Sequence, residues 1–201
     1  MKAEYDLIAE QWRQIRVKLP EKDFSMFKLF LSYLNNDAKV LDLGCGHGVP
    51  VASLISSYGH QIVGVDRSEK LLSHAKSLMP EHQWVLSDLE SYQPAEQFDG
   101  IVIWDSMFHL PRTEHVKLIE KAYKALRYGG AVILSSGGSN HNISPFTGSM
   151  FDKEFYYDSF TICDLLDHCE AIGFRVIQSE LVNEPDGGRD KGRLGVILKK
   201  I

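Results

Sequence analysis

Two rhythms of apolar residues alternate along the chain. Short, nearly continuous apolar runs at residues 40–43, 61–66, 83–86, 98–103 and 131–134 have the length of strands buried on both faces. Between them apolar residues recur at three- and four-residue spacing, as in helices that bury one side. Residues 49–58 predict the first such helix, with Pro50 in its opening turn and Gly59 as its stop. Ser68 caps the next, whose Leu71, Leu72, Ala75, Leu78 and Met79 share a face until Pro80 ends it. Val116, Ile119, Ala122, Tyr123 and Leu126 mark a third, closed by Gly129-Gly130. Thr161 with Asp164 forms a capping box for a fourth, with a stripe of Ile162, Leu165, Leu166, Cys169 and Ile172 closed by Gly173.

Strand and helix in alternation define an α/β domain with a parallel sheet. The C-terminal end departs from that rule. Residues 174–182 and 194–199 read as strands joined through Glu184-Pro185-Asp186-Gly187-Gly188 with no helix between them, so they form an antiparallel hairpin. Arg189, Lys191 and Arg193 near its turn read as a solvated tip rather than an anion site. Two segments lie outside this core. Residues 1–36 form a helical cap: a helix over 5–18 with Leu7, Ile8, Trp12 and Ile15 on or near one side, then a second bearing Phe24, Phe27, Phe30, Leu31 and Leu34. Residues 137–158, carrying His141, Phe146, Met150, Phe151, Phe155, Tyr156 and Tyr157, are expected to be a lid, since a long loop with this aromatic content is not disordered. Residues 37–201, with 137–158 as a lid insertion, make one cofactor-binding core, so residues 1–201 are a single domain.

The chemistry begins at Val40-Leu41-Asp42-Leu43-Gly44-Cys45-Gly46-His47-Gly48, where a strand runs into three alternating glycines and then a helix. Glycine accepts positive φ and leaves no Cβ between main chain and ligand, while the helix points its first N–H groups back at the loop. The spacing is G-x-G-x-G; the dinucleotide fingerprint places its third glycine one position later, here Val49. About 20 residues beyond the first glycine the second strand ends at Asp66, where a βαβ unit delivers a carboxylate to ribose hydroxyls. The third ends at Ser87-Asp88-Leu89, putting a second acid at the same edge, where it can accept from adenine's amine. Each acid alone reads as a turn residue or cap; three features in register read as a nucleotide-cofactor site.

These residues carry a resemblance. Asp42 to Gly48, Gly64-Val65-Asp66, Ser87-Asp88-Leu89, residues 98–104 and residues 126–134 resemble, in order, the successive motifs of class I S-adenosylmethionine-dependent methyltransferases. Tyr5-Asp6-Leu7-Ile8-Ala9 is similar to the lead-in of the small-molecule members. The resemblance implies a Rossmann-like three-layer α/β sandwich, with a seven-stranded, mostly parallel sheet of order 3-2-1-4-5-7-6 whose last strand inserts beside the fifth. It implies S-adenosylmethionine as cofactor and S-adenosylhomocysteine as product. The cofactor-binding set it points to is Tyr5, Trp12, Asp42, Gly44, Cys45, Gly46, Asp66, Arg67, Asp88, Leu89 and Trp104. Within it Asp42, Gly44 and Gly46 frame the methionine part, Asp66 takes the ribose hydroxyls, and Asp88 and Leu89 hold the adenine. The loop after the fourth strand, Trp104 to Pro111, lies at the family's substrate edge and offers Asp105 and His109 as catalytic candidates. An imidazole titrates near neutral pH, which makes His109 the better general base; the alternative is a histidine that only orients substrate.

Charge and cysteine usage narrow the function. A formal net charge of −5 argues against a nonspecific grip on nucleic acid or anionic membrane, both of which need a positive field. There is no run of 18 apolar residues and no charged-then-apolar leader, so a soluble cytoplasmic protein, monomeric or homodimeric, is the expectation. Cys45, Cys163 and Cys169 make neither an even set nor a C-x-x-C pair, and no H-E-x-x-H occurs, so neither disulfides nor a metal site are expected. The reading is methyl transfer to a small-molecule acceptor by in-line displacement. A protein or RNA acceptor is the second alternative; a nicotinamide-dependent oxidoreductase or a noncatalytic nucleotide binder is the third.

Overall fold

The structure, a computed structural model, describes residues 5–186 and 191–201. After a 3-10 turn at Tyr5–Leu7 come α1 (Ala9–Ile15), α2 (Glu21–Ser32), β1 (Lys39–Leu43), α3 (Val51–Ser57), β2 (Gln61–Asp66), α4 (Glu69–Leu78), β3 (Gln83–Leu86) and β4 (Phe98–Ile103). A second 3-10 turn at Met107–His109 leads to α5 (Arg112–Ala125), β5 (Leu126–Gly137), β6 (Phe146–Met150), β7 (Lys153–Tyr157), α6 (Ile162–Ile172), β8 (Phe174–Asn183) and β9 (Arg193–Lys200). Seven strands form one sheet in the order β3-β2-β1-β4-β5-β9-β8, and β6 and β7 pair separately. Counted within the sheet, that is the expected 3-2-1-4-5-7-6. β9 runs antiparallel to both β5 and β8.

Period-two alternation in the strands sorts the core into two layers. Leu41, Leu43, Val65, Ile101, Ile103, Val132, Leu134 and Val196 face one way and pack on Leu118, Ile119 and Ala122 of α5 and Leu165 and Cys169 of α6. Val40, Ile62, Val102, Ile133 and Ile197 face the other and meet Phe27 and Phe30 of α2, Ala52 and Ile55 of α3, and Leu72 and Ala75 of α4. Both caps read from sequence are formed: Leu71 N donates to Ser68 Oγ at 3.1 Å, and Asp164 N to Thr161 Oγ1 at 3.1 Å. Gly173 ends α6 at φ +115°.

Three expectations need correction. α5 stops at Ala125, and Leu126 already has extended dihedrals, so Gly129-Gly130 lies inside β5 beside a slip in the β4–β5 register rather than closing the helix. The helix expected over 5–18 is a 3-10 turn followed by seven helical residues; Ile8 is buried, but Leu7 and Ile15 are more than half exposed. Residues 137–158 are not a structureless loop, since half of them build the β6–β7 hairpin. Buried Ile8 packs with buried Phe155 of that hairpin, joined by Tyr5, Trp12, Met150 and Tyr157. Cap and hairpin thus form one roof over the carboxyl ends of β1, β2 and β4. None of the described helices is long and apolar enough to cross a membrane.

Candidate active site

The glycine loop is organised from below. Gly44 N and Cys45 N both donate to Val65 O, at 2.8 and 3.1 Å, which bends the chain across the end of β2. Gly44 has φ +92°, and a Cβ there would lie 2.3 Å from Ser106 Cβ, so its freedom is used for contact with the loop after β4. Ser106 Oγ in turn donates to Leu43 O at 2.7 Å. A Cβ built on Gly46, at φ +56°, would meet nothing nearer than Trp12 Nε1 at 3.8 Å, so of the three loop glycines this one leaves open space beside the main chain. Asp66 locks the loop by accepting from Gly46 N and Ser68 N, both at 2.8 Å. Burial raises its carboxyl above the usual range despite those bonds.

Above the loop lies a cavity of about 880 Å³ counted with its open mouth. Its walls include Tyr5, Trp12, Asp42, Gly44, Cys45, Gly46, Asp66, Arg67, Leu89 and Trp104, all from the set picked out by sequence, together with Asp105 and His109. Asp88 is not among the walls; its carboxylate, about a third exposed, sits 3.6 Å from Arg67 Nε. Arg16, His47, Glu90 and Ser106 also line the cavity and had not been singled out. Among the described residues no cluster of His, Cys, Asp or Glu could hold a metal ion.

Asp42 is 2 % exposed, and its Oδ2 has no partner within the protein. Burial, with Asp66 adding repulsion, raises its carboxyl to about 7. The unfolded chain ionises this group near about 3.9, so between about pH 4 and 7 it binds fewer protons than the folded chain and stability falls as pH rises. Asp42→Asn is expected to flatten that slope, and calorimetric melting at pH 5 and pH 8 checks it: equal pH dependence in both proteins would contradict the assignment. A buried carboxylate oxygen lacking a donor, beside a bare glycine, fits a ligand that carries an ammonium group and supplies the missing donor.

A second cavity adjoins the first and shares Tyr5, Trp12, Asp105 and His109 with it. At this shared wall His109 uses both ring nitrogens, Nδ1 facing Tyr156 O and Nε2 facing Tyr5 Oη, each at 2.9 Å. A carbonyl oxygen only accepts, so Nδ1 carries the proton and Nε2 accepts from the tyrosine hydroxyl. Burial lowers the His109 pKa in spite of the Tyr156 carbonyl, and burial raises that of Tyr5 well above its ordinary value, so the pair rests as phenol and neutral imidazole.

Asp105 is built for a different task. Burial alone raises its carboxyl, but Arg193 and then Arg16 outweigh burial and hold it below the usual range. Arg193 Nη1 reaches both of its oxygens at 2.7 Å, Arg16 Nη2 reaches Oδ2, and Ser135 Oγ donates to Oδ1 at 3.0 Å. Arg193 Nη2 continues to Asp23 at 2.5 Å, and its guanidinium lies over the Trp104 ring. An ionised carboxylate between two guanidinium groups is a structural anchor and a poor proton acceptor. Arg193 is therefore no solvated hairpin tip; Arg189, read with it, lies outside the described residues. Asp23 was legible in principle, since it occupies the same helix face as Met26, Phe27 and Phe30, where a charge needs a buried partner.

A glycine loop, an acid at the end of β2 and a roofed cavity at the carboxyl edge of this sheet define a nucleotide-cofactor domain with an antiparallel C-terminal insertion. Residues 40–130 match the family model described as a methyltransferase domain. Over that segment, a little under half of its length, the chain resembles methyltransferase domains. It is 34% identical over 102 residues to trans-aconitate 2-methyltransferase of Azoarcus sp., covering 50% of this chain and 40% of that protein. It is 26% identical over 147 residues to phosphoethanolamine N-methyltransferase 2 of Caenorhabditis elegans, covering 70% of this chain and 33% of that one. It thus spans two fifths or less of these curated relatives. An S-adenosylmethionine-dependent methyltransferase from Clostridium acetobutylicum shares the fold over 98% of both chains, with a TM-score of 0.73 and 16% identity.

Proposed function

We propose that the protein transfers a methyl group from S-adenosylmethionine to a protonated oxygen or nitrogen of a small-molecule acceptor. The observation that carries this reading is the Tyr5–His109 pair at the wall between the two cavities, with the cofactor residues on one side and an aromatic chamber on the other. The match to a methyltransferase-domain model and relatives named for small-molecule acceptors support it. In this reading Asp42 meets the cofactor's ammonium group, Gly46 leaves the main chain open beneath it, Asp66 takes the ribose hydroxyls and Leu89 walls the adenine. Arg67 and Asp88 flank the adenine end, Trp104 and Cys45 close the cavity floor, and Tyr5 and Trp12 roof it.

Bound there, S-adenosylmethionine supplies an electrophilic methyl on a cationic sulfur. The protein's own part is to hold a nucleophile in line at about 3 Å, exclude water and take a proton. When an acceptor is methylated, its proton would pass to Tyr5 Oη and the tyrosine's own proton to His109 Nε2, the carbon–sulfur bonding pair remaining with the departing sulfur. The Tyr156 carbonyl holds the imidazole in the tautomer that can receive it. His109 thus acts through Tyr5, because its Nε2 is already engaged. Asp105 is assigned to anchoring rather than base catalysis.

Asp66→Ala tests the cofactor side. Loss of this acceptor is expected to weaken S-adenosylmethionine binding about ten- to a hundredfold, the worth of charge-assisted bonds of about 1.5 to 3 kcal/mol. Isothermal calorimetry with S-adenosylhomocysteine reads it, and unchanged affinity would remove Asp66 from the site.

A further inference from the structure

The second cavity also bears on which acceptor it takes. Phe146 of β6 stacks on Tyr157 of β7, with centroids 5.3 Å apart and planes at 15°, and Tyr157 stacks on Phe108 at 5.8 Å and 28°. These three rings line the cavity as one continuous π surface, and Tyr5 and Trp12 add two more where it opens to the cofactor side. The ionic groups in it are already engaged. Asp105 lies between Arg16 and Arg193; Arg193 spends Nη1 on Asp105 and Nη2 on Asp23. Asp158 accepts from Arg112 Nε at 2.6 Å and from its backbone N at 2.8 Å. Lys191 and Asp186 line the cavity with opposite charges.

A phosphate or polycarboxylate entering here would have to draw Lys191 or an arginine from its present partner, and taking the arginine strands a buried carboxylate. A cationic acceptor would face the sulfonium of the cofactor. A neutral planar ring meets neither penalty and gains offset stacking along the wall. We propose that the acceptor is a neutral aromatic or heteroaromatic molecule with a hydroxyl or ring N–H directed at Tyr5 Oη. This assignment rests on the methyltransferase reading and sets the chain apart from relatives named for trans-aconitate and phosphoethanolamine.

The test is transfer of tritium from methyl-labelled S-adenosylmethionine to a two-armed panel, with equilibrium dialysis of the labelled cofactor run alongside. One arm holds catechol, 4-nitrophenol and benzimidazole; the other holds citrate, trans-aconitate and phosphoethanolamine. Transfer is expected in the aromatic arm. Phe146→Ala, a substitution at a partly exposed ring on a hairpin outside the main sheet, is expected to raise the aromatic acceptor's KM about five- to tenfold with kcat nearly unchanged, as loss of a stacking partner does. Transfer confined to the anionic arm, or to no compound while dialysis shows the cofactor bound, overturns the acceptor assignment and leaves the methyltransferase reading standing. Absence of cofactor binding overturns both.

Discussion

His109→Ala is expected to lower turnover about 10²- to 10⁴-fold, the usual worth of a positioned base, while leaving S-adenosylhomocysteine affinity within about twofold. The reason is the chain of 2.9 Å contacts from Tyr156 O through the imidazole to Tyr5 Oη: without the ring, the tyrosine hydroxyl has no group to receive its proton. Tyr5→Phe is expected to cost a similar factor, and the double variant little more, since the two act as one unit. The pH profile adds a sign. Burial lowers the His109 pKa, so the neutral imidazole is already the main form at neutral pH, and the acidic limb of kcat is expected below about pH 6.5, the free imidazole's value. That limb is expected to vanish in His109→Ala. A histidine that merely orients the acceptor gives another pattern, a higher KM with kcat almost intact; a limb that persists without His109 assigns catalysis to proximity alone.

The second large effect is on stability. Asp105→Ala removes the carboxylate shared by Arg16 and Arg193, whose side chains are only 20% and 18% exposed. Breaking a buried ion pair by deleting one partner costs about 3 to 5 kcal/mol, because the surviving charge stays desolvated. For a domain of this size that lowers the melting midpoint by roughly 10 °C. The same deletion frees Arg16, so amides over residues 5–16 are expected to exchange faster while those of β1 and β4 keep their protection. Asp105→Asn retains hydrogen bonding without the charge and is expected to fall between. Midpoints by calorimetry and site-resolved hydrogen exchange check both; an unchanged midpoint in Asp105→Ala would mean the network adds nothing to the fold.

The strands and helices of the cofactor half were legible because each obeys a local rule. The β2 segment from Gln61 to Asp66 is an apolar run ending in an acid, Ser68 and Thr161 cap the helices they precede, and the glycines of the β1 loop take positive φ. The antiparallel end was legible from the missing crossover helix between β8 and β9. The roof was less so. Leu7 and Ile15 have apolar side chains but face water, because the segment meets the β6–β7 hairpin through Tyr5, through Ile8 just before α1 and through Trp12 within it. No periodicity in residues 137–158 reveals that hairpin, since its strands are short, bury only Phe155 and do not alternate.

By itself the sequence determined the α/β alternation, the order of the sheet through family resemblance, and a sheet edge carrying Asp42, Asp66 and the glycine loop. All of these depend on neighbours within a few residues or on the two-residue and 3.6-residue periods of regular elements. Tertiary structure alone decided that Tyr5 meets His109 across 104 residues, and that Arg193 reaches Asp105 across 88 and Asp23 across 170. It also decided that Asp88 turns to Arg67 instead of the cavity. Such pairings arise from loops converging on one sheet edge, where a buried charge or ring nitrogen must find its partner in space, and nothing in the local pattern of either residue specifies which partner that will be.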